Sequence, residues 1–164
     1  MTETPSGPAG VSGRLVCCDL DGVVWRGDTP IAGSADAIGR LRGGGWHVVF
    51  TTNNSSLRID DYVQRLAHFD IPADPDDVCT SAQAAAAVIA AGAAPGATVL
   101  ACAGPGVVEA LEAAGLHVVD RPPAEAVVVG FHRGFDFEGL TRAADAVRDG
   151  ARYVATNLDP TYPI

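Results

Sequence analysis

Short apolar runs alternate along this chain with longer stretches of helical period. The first run, residues 15–18, ends at Asp19 between Gly13 and Gly22, and its length predicts a strand buried on both faces. A turn-rich stretch over 21–33 leads to a helix over 34–42, with Ala35, Ile38 and Leu41 on one face and Gly43, Gly44 and Gly45 as its stop. Residues 46–51 read as a second strand. Either Ser55 or Ser56 is placed to cap the next helix, whose Ile59, Tyr62, Val63, Leu66 and Phe69 recur at helical spacing. Pro72 and Pro75 close that unit, and a short strand over 77–80 and an alanine-rich helix over 81–91 follow.

The alternation then continues. Strands are predicted over 97–102, 116–119, 126–130 and 152–155, and helices over 106–114 and 137–149. In the last helix Phe137, Leu140, Ala144 and Val147 are expected to face inward. Strand and helix in strict succession predict a parallel α/β architecture. The Pro- and Asp-rich stretch at 70–77 is the expected lobe boundary, with the hinges up to several residues later.

Composition narrows the class. The 164 residues suffice for one compact domain or two small lobes, and 48% hydrophobic with 19% charged residues is a globular balance. A net charge of −9 repels nucleic-acid phosphates and anionic membrane surfaces, so neither is an expected partner. All 11 basic residues are arginine; there is no lysine. Cys17, Cys18, Cys79 and Cys102 match no zinc spacing and are expected to be small buried hydrophobes in a reducing compartment. Residues 1–13 read as a disordered tail without a signal-peptide core, and no apolar run is long enough to span a bilayer. The expected location is cytoplasmic.

Asp19-Leu20-Asp21-Gly22 directly follows the first strand. Parallel sheets bind ligands beyond the carboxyl ends of their strands, so chemistry is expected there. Two carboxylates one residue apart can divide two tasks. One attacks an electrophile; the other protonates the leaving group and later activates water. A divalent cation would offset the repulsion between Asp19 and a phosphate, and Mg²⁺ suits such an oxygen-rich site. Taken alone, the pair reads as a turn. The second strand ends in Thr51, Thr52, Asn53, Asn54 and Ser55, uncharged donors that can hold phosphate oxygens or merely cap a helix. At the ends of successive strands, the two sets together point to a phosphate site.

DLDGVVW (residues 19–25) resembles the first motif of haloacid-dehalogenase superfamily phosphatases, and FTTNNSS (50–56) the second. The combination is similar to the subclass of NagD-type, p-nitrophenylphosphatase-like, phosphoglycolate and glycerol-phosphate phosphatases. TSAQAAA (80–86), VVVGFHRGFDFEGL (127–140) and GARYVATNLDPTYP (150–163) resemble parts of that subclass's cap. The resemblance implies a doubly wound parallel core over 14–80 and an α/β cap lobe over 81–164, both incomplete. It implies Asp19 as nucleophile and Mg²⁺ ligand, and Asp21 as general acid/base with its backbone carbonyl on the metal. Thr52 would bond the transferring phosphoryl group with Asn53 and Asn54 beside it, while Tyr162 reads as a turn residue.

The function implied is that of a Mg²⁺-dependent phosphatase of small phosphorylated metabolites, acting through an aspartyl-phosphate at Asp19. Members of the subclass continue past this length and there carry a lysine and further acidic metal ligands. A chain without lysine is therefore expected to be a C-terminally truncated form that does not turn over substrate. Its first strand would be an apolar edge open to another chain, which leaves a homo-oligomer possible. The alternative is a non-catalytic shortened paralogue serving as a phosphate-binding or interaction module. A receiver or flavodoxin-like domain also places an aspartate at a strand end, but the cap-like segments argue against it.

Overall fold

The computed structural model describes residues 13–159. The expected tail over 1–13, apart from Gly13, and Tyr162 lie outside the described residues. The chain opens with β1 (Arg14–Asp19), and a two-stranded hairpin, β2 (Trp25–Arg26) with β3 (Thr29–Pro30), follows it. Helix α1 (Ser34–Gly43), strand β4 (Trp46–Thr52), helix α2 (Ile59–His68) and strand β5 (Val78–Thr80) come next. Strands β1, β4 and β5 form a parallel sheet in the order β1-β4-β5. The chain thus leaves this sheet only after Thr80, beyond the Pro- and Asp-rich stretch.

One face of that sheet is covered. Val48, Phe50 and Val78 pack with Ile38 of α1 and with Tyr62 and Leu66 of α2, and Leu20, Val24, Trp25 and Ile71 complete the cluster. Removing side chains of this size from water stabilises by about 1.5–3 kcal/mol each. No element of the described residues covers the opposite face. Leu15 is 51% exposed, and Cys17, Asp19 and Cys79 are exposed as well. Strand β1 is therefore not buried on both faces as its apolar run suggested. It is an edge strand with burial alternating along it, because helices of the described residues pack on one side only.

The entry to α2 also differs from expectation. Neither serine caps it. Ser56 donates its N–H and its hydroxyl to Asn54 Oδ1, at 3.0 and 2.7 Å, and Ser55 Oγ pairs with Thr156 Oγ1 at 2.9 Å. The helix starts after Arg58, whose N–H donates to the Asp61 carboxylate at 3.1 Å.

The remainder builds a second sheet. Helix α3 (Ser81–Ala90) leads to β6 (Thr98–Cys102), α4 (Pro105–Ala113), β7 (His117–Val119), β8 (Ala126–Val129), α5 (Phe137–Arg148) and β9 (Arg152–Ala155). The four strands are parallel in the order β7-β6-β8-β9. Thr80 and Gln83 form a reciprocal capping box at the start of α3: Gln83 N–H donates to Thr80 Oγ1 at 3.3 Å, and Thr80 N–H to Gln83 Oε1 at 2.8 Å. Helices α3 and α4 cover one face with Ala82, Ala86, Val107 and Leu111 against Val99 and Val128. Helix α5 covers the other through Ala143 and Ala146, against Leu100 and Val127. The face expected to be inward is thus turned out: Phe137 is 82% and Leu140 46% exposed, and Ala144 and Val147 are also exposed. Two alanines let the helix lie close to the sheet, and Ala144 and Val147, one residue along, are rotated about 100° away from it toward solvent.

Of the cysteines, only Cys102 is buried; Cys18 is half-buried and Cys17 and Cys79 are exposed. The expectation that all four are buried fails because Cys17 and Cys79 point to the uncovered sheet face.

Candidate active site

Parallel pairing puts the carboxyl ends of β1, β4 and β5 along one edge. Asp19 is opposite Thr51, Thr51 is opposite Cys79, and Thr52 is opposite Thr80. A cavity of about 520 Å³ opens at this edge, lined by Asp19, Thr51, Thr52, Asn53, Cys79, Thr80, Ser81 and Ala84. Three of the five residues singled out from sequence, Asp19, Thr52 and Asn53, meet on it. The other two do not line it.

Asp19 is exposed, with Oδ1 accepting the N–H of Leu20 at 2.9 Å. Asp21 is half-buried, and its Oδ1 accepts the indole N–H of Trp25 at 2.9 Å. Trp25 is a fixed donor: it is fully buried, with the Arg65 guanidinium 4.4 Å above its ring and the Phe69 ring 5.8 Å away. Gly22, at φ +86°, supplies the left-handed turn that brings Trp25 back beside Asp21.

Thr52 is buried, and its Oγ1 accepts the N–H of Asn54 at 3.1 Å, which leaves the hydroxyl proton to donate. Asn54 shapes the loop. Its side-chain oxygen takes both donors of Ser56, and its carbonyl accepts the Tyr62 hydroxyl at 2.8 Å. Asn53 is held from the second half of the chain. Its carbonyl accepts from Ser81 Oγ at 2.8 Å, and its Nδ2 donates to Asp159 Oδ2 at 2.9 Å. Sequence reasoning missed Cys79, Thr80 and Ser81 as lining residues. The signal was there, since Cys79 and Thr80 end the third strand of the same parallel sheet and Ser81 follows directly.

Burial pushes the Cys18 thiol up, and the neighbouring Asp19 carboxylate pushes it further the same way. A thiol so held stays protonated and is a poor nucleophile beside Asp19. The donor suited to a metal on this cavity is a hard oxygen ligand, the Asp19 carboxylate. Among the described residues no group of three or more His, Cys, Asp or Glu side chains is placed to hold a metal ion. Mg²⁺ commonly takes one or two carboxylates and fills its octahedron with water and phosphate oxygens, so this partial set fits it.

A parallel α/β fold with a carboxylate at the edge where such sheets bind ligands is shared by several classes of protein. This chain belongs to the haloacid dehalogenase-like hydrolases, whose sequence pattern matches residues 16–117. It is 38% identical to the D-glycerol 3-phosphate phosphatase of Mycobacterium tuberculosis over 149 residues, covering 88% of this chain and 41% of that one. It is 37% identical to an acid sugar phosphatase of Staphylococcus saprophyticus over 145 residues, covering 88% and 56%. The glycerol phosphate phosphatase from Mycobacterium tuberculosis, solved in complex with magnesium, superimposes with a TM-score of 0.85 at 37% identity, covering 92% of this chain and 45% of that one. A p-nitrophenyl phosphatase from Archaeoglobus fulgidus gives 0.83 at 33% identity, covering 93% and 58%. The chain spans about half the length of the curated relatives it matches. No helix of the described residues is long and apolar enough to cross a membrane.

Proposed function

We propose that this chain carries the nucleophile-bearing part of a Mg²⁺-dependent phosphatase for small phosphorylated metabolites. In this reading residues 14–80 belong to the catalytic core and 81–164 to a cap lobe. The observation that carries it is the meeting of Asp19, Thr52 and Asn53 on one cavity at the carboxyl edge of a parallel sheet. The relatives' names, D-glycerol 3-phosphate phosphatase and acid sugar phosphatase, support small phosphorylated metabolites as the class of ester.

Asp19 attacks phosphorus, forming a carboxylate O–P bond as the ester P–O bond breaks, and Asp21 gives its proton to the departing alkoxide. Asp21 then takes a proton from water, whose oxygen attacks the aspartyl-phosphate and releases inorganic phosphate and free Asp19. Trp25 keeps Asp21 in place through both steps. Thr52 and Asn53 donate to the phosphoryl oxygens, and Ser81 keeps the Asn53 backbone fixed. Mg²⁺, held by the Asp19 carboxylate and the Asp21 backbone carbonyl, would neutralise phosphate charge.

Among the described residues, the cavity lining includes one carboxylate and no cation. Losing one preorganised electrostatic partner commonly costs ~10²–10³ in rate, so this chain alone is expected to be slow or inactive. The same lack of a cation favours a second reading, a module that binds phosphate esters or another protein without turnover.

Phosphate release from glycerol 3-phosphate and p-nitrophenyl phosphate, with and without Mg²⁺, separates the two. Mg²⁺-dependent release that Asp19→Asn abolishes supports the enzyme. Phosphate binding without release in both forms supports the binding module, and neither binding nor release defeats both.

A further inference from the structure

The loop after β4 is gripped by segments distant in sequence. Ser81, at the start of α3, holds the carbonyl of Asn53. Asp159 holds its side-chain amide across 106 residues of sequence separation. Asp159 is itself fixed. Its Oδ2 accepts a second amide proton from Asn157 Nδ2 at 3.2 Å, and its N–H donates to Asn157 Oδ1 at 2.9 Å. One residue earlier, Thr156 is tied to β8 by its N–H to the Val129 carbonyl at 3.0 Å and to the loop by its hydroxyl contact with Ser55.

Asn53 lines the same cavity as Asp19. An asparagine amide carries two N–H donors in one plane, and an unrestrained one turns about its terminal torsion. Once one Nδ2 hydrogen is committed to Asp159, the plane is set and the second hydrogen has a defined direction. A carboxylate near a phosphate site also repels the anion. Here two amides donate to the same oxygen, which spreads its charge, and Asp159 itself does not line the cavity.

We propose that Asp159 is a positioning residue of the phosphate loop: it fixes the Asn53 amide so that its remaining hydrogen serves a phosphoryl oxygen. The inference rests on the reading of Thr52 and Asn53 as phosphate-binding. It makes the segment following β9 part of the oxyanion site through a hydrogen bond, without contact to the phosphate.

The test is a titration of the isotope-labelled full chain with inorganic phosphate in the presence of Mg²⁺, followed by NMR. It reads the dissociation constant and the Asn53 side-chain amide signals together. Asp159→Ala is expected to weaken phosphate binding about tenfold, the scale of one hydrogen bond to a charged group, and to move the Asn53 amide signals to those of a solvated side chain. Asp159→Asn keeps an acceptor and is expected to restore binding to within about twofold. Asn53→Ala combined with Asp159→Ala is expected to bind no more weakly than Asn53→Ala alone. Asp159 is exposed, so these changes leave the core intact, and Asn157→Ala offers a milder loosening with a smaller loss in the same direction.

Unchanged or tighter binding in Asp159→Ala overturns the inference, as does an Asp159→Asn variant no better than the alanine. If Thr52→Ala and Asn53→Ala weaken binding while Asp159→Ala does not, only the positioning role fails. If neither weakens it, or the unmodified chain binds no phosphate, the phosphate-loop reading fails and takes this inference with it.

Discussion

Glu109, on α4, accepts a hydrogen bond from the N–H of Ile59, the first residue of α2, at 3.0 Å. The first N–H groups of a helix have no intrahelical partner and carry partial positive charge, so a carboxylate satisfies both needs. The bond joins a helix packed on the first sheet to one packed on the second. Glu109→Ala is expected to cost about 1 kcal/mol, the scale of losing a side-chain cap. Urea unfolding checks this as a lower midpoint with an unchanged slope; an unshifted midpoint would mean that the Arg58–Asp61 pairing suffices.

Beside that bond the two halves meet backbone to backbone. Gly106 N–H donates to the Ser56 carbonyl at 3.3 Å, and a methyl group on Gly106 would overlap the carbonyl of Leu57. Backbone cannot rotate away as a side chain can. Gly106→Ala is therefore expected to lose ~1–3 kcal/mol or more, as overpacked sites do, whereas Gly134→Ala, with nothing closer than 3.6 Å, is expected to be near neutral. Thermal unfolding of the two variants side by side tests the contrast.

Thr52 serves the loop and, in the proposed reading, the phosphate. Thr52→Ser keeps the hydroxyl and is expected to keep both roles. Thr52→Val keeps the shape but removes the hydroxyl that accepts the Asn54 N–H, for a loss of about 1 kcal/mol of stability. The same variant is expected to bind inorganic phosphate about tenfold more weakly, measured by calorimetry. A Thr52→Val form with normal stability and affinity would remove Thr52 from the site.

The thiols differ in environment. Cys18 is raised by burial and then by Asp19; Cys102 is raised by burial, and the Arg142 guanidinium only partly opposes this. Both thiols keep their protons in the folded chain to higher pH than in the unfolded one. Their contribution to stability is thus full below the ordinary thiol value of 9.0 and is lost as pH rises past it. Unfolding midpoints are expected to fall above that pH, and less steeply in a Cys18→Ala, Cys102→Ala double variant. Brief alkylation at neutral pH, read by peptide mass, is expected to mark the exposed Cys17 and Cys79 before Cys18 and Cys102.

Much of this was legible from the order of residues. Ile59, Tyr62, Val63, Leu66 and Phe69 announce α2 because a helix brings every third or fourth residue to one face, and all five join the first core cluster. Parallel strands ending in Asp19 and Thr52 announce the edge where a site belongs, because parallel pairing aligns carboxyl ends. The face of α5 was misread for a physical reason. Its larger apolar residues and its alanines both recur at helical spacing, and only the closeness of the sheet selects the alanines.

By itself the sequence determined the alternation of elements, the family and the residues at the strand ends, since these follow from local period and motif. The tertiary structure alone decided that, among the described residues, no element packs across the face of the first sheet that carries Leu15, Cys17 and Asp19, because burial depends on which elements lie against it. It also decided that Asn53 is held by Ser81 and Asp159. A hydrogen bond between residues 106 apart in sequence leaves no periodic trace in the chain; it exists only once both sheets are in place.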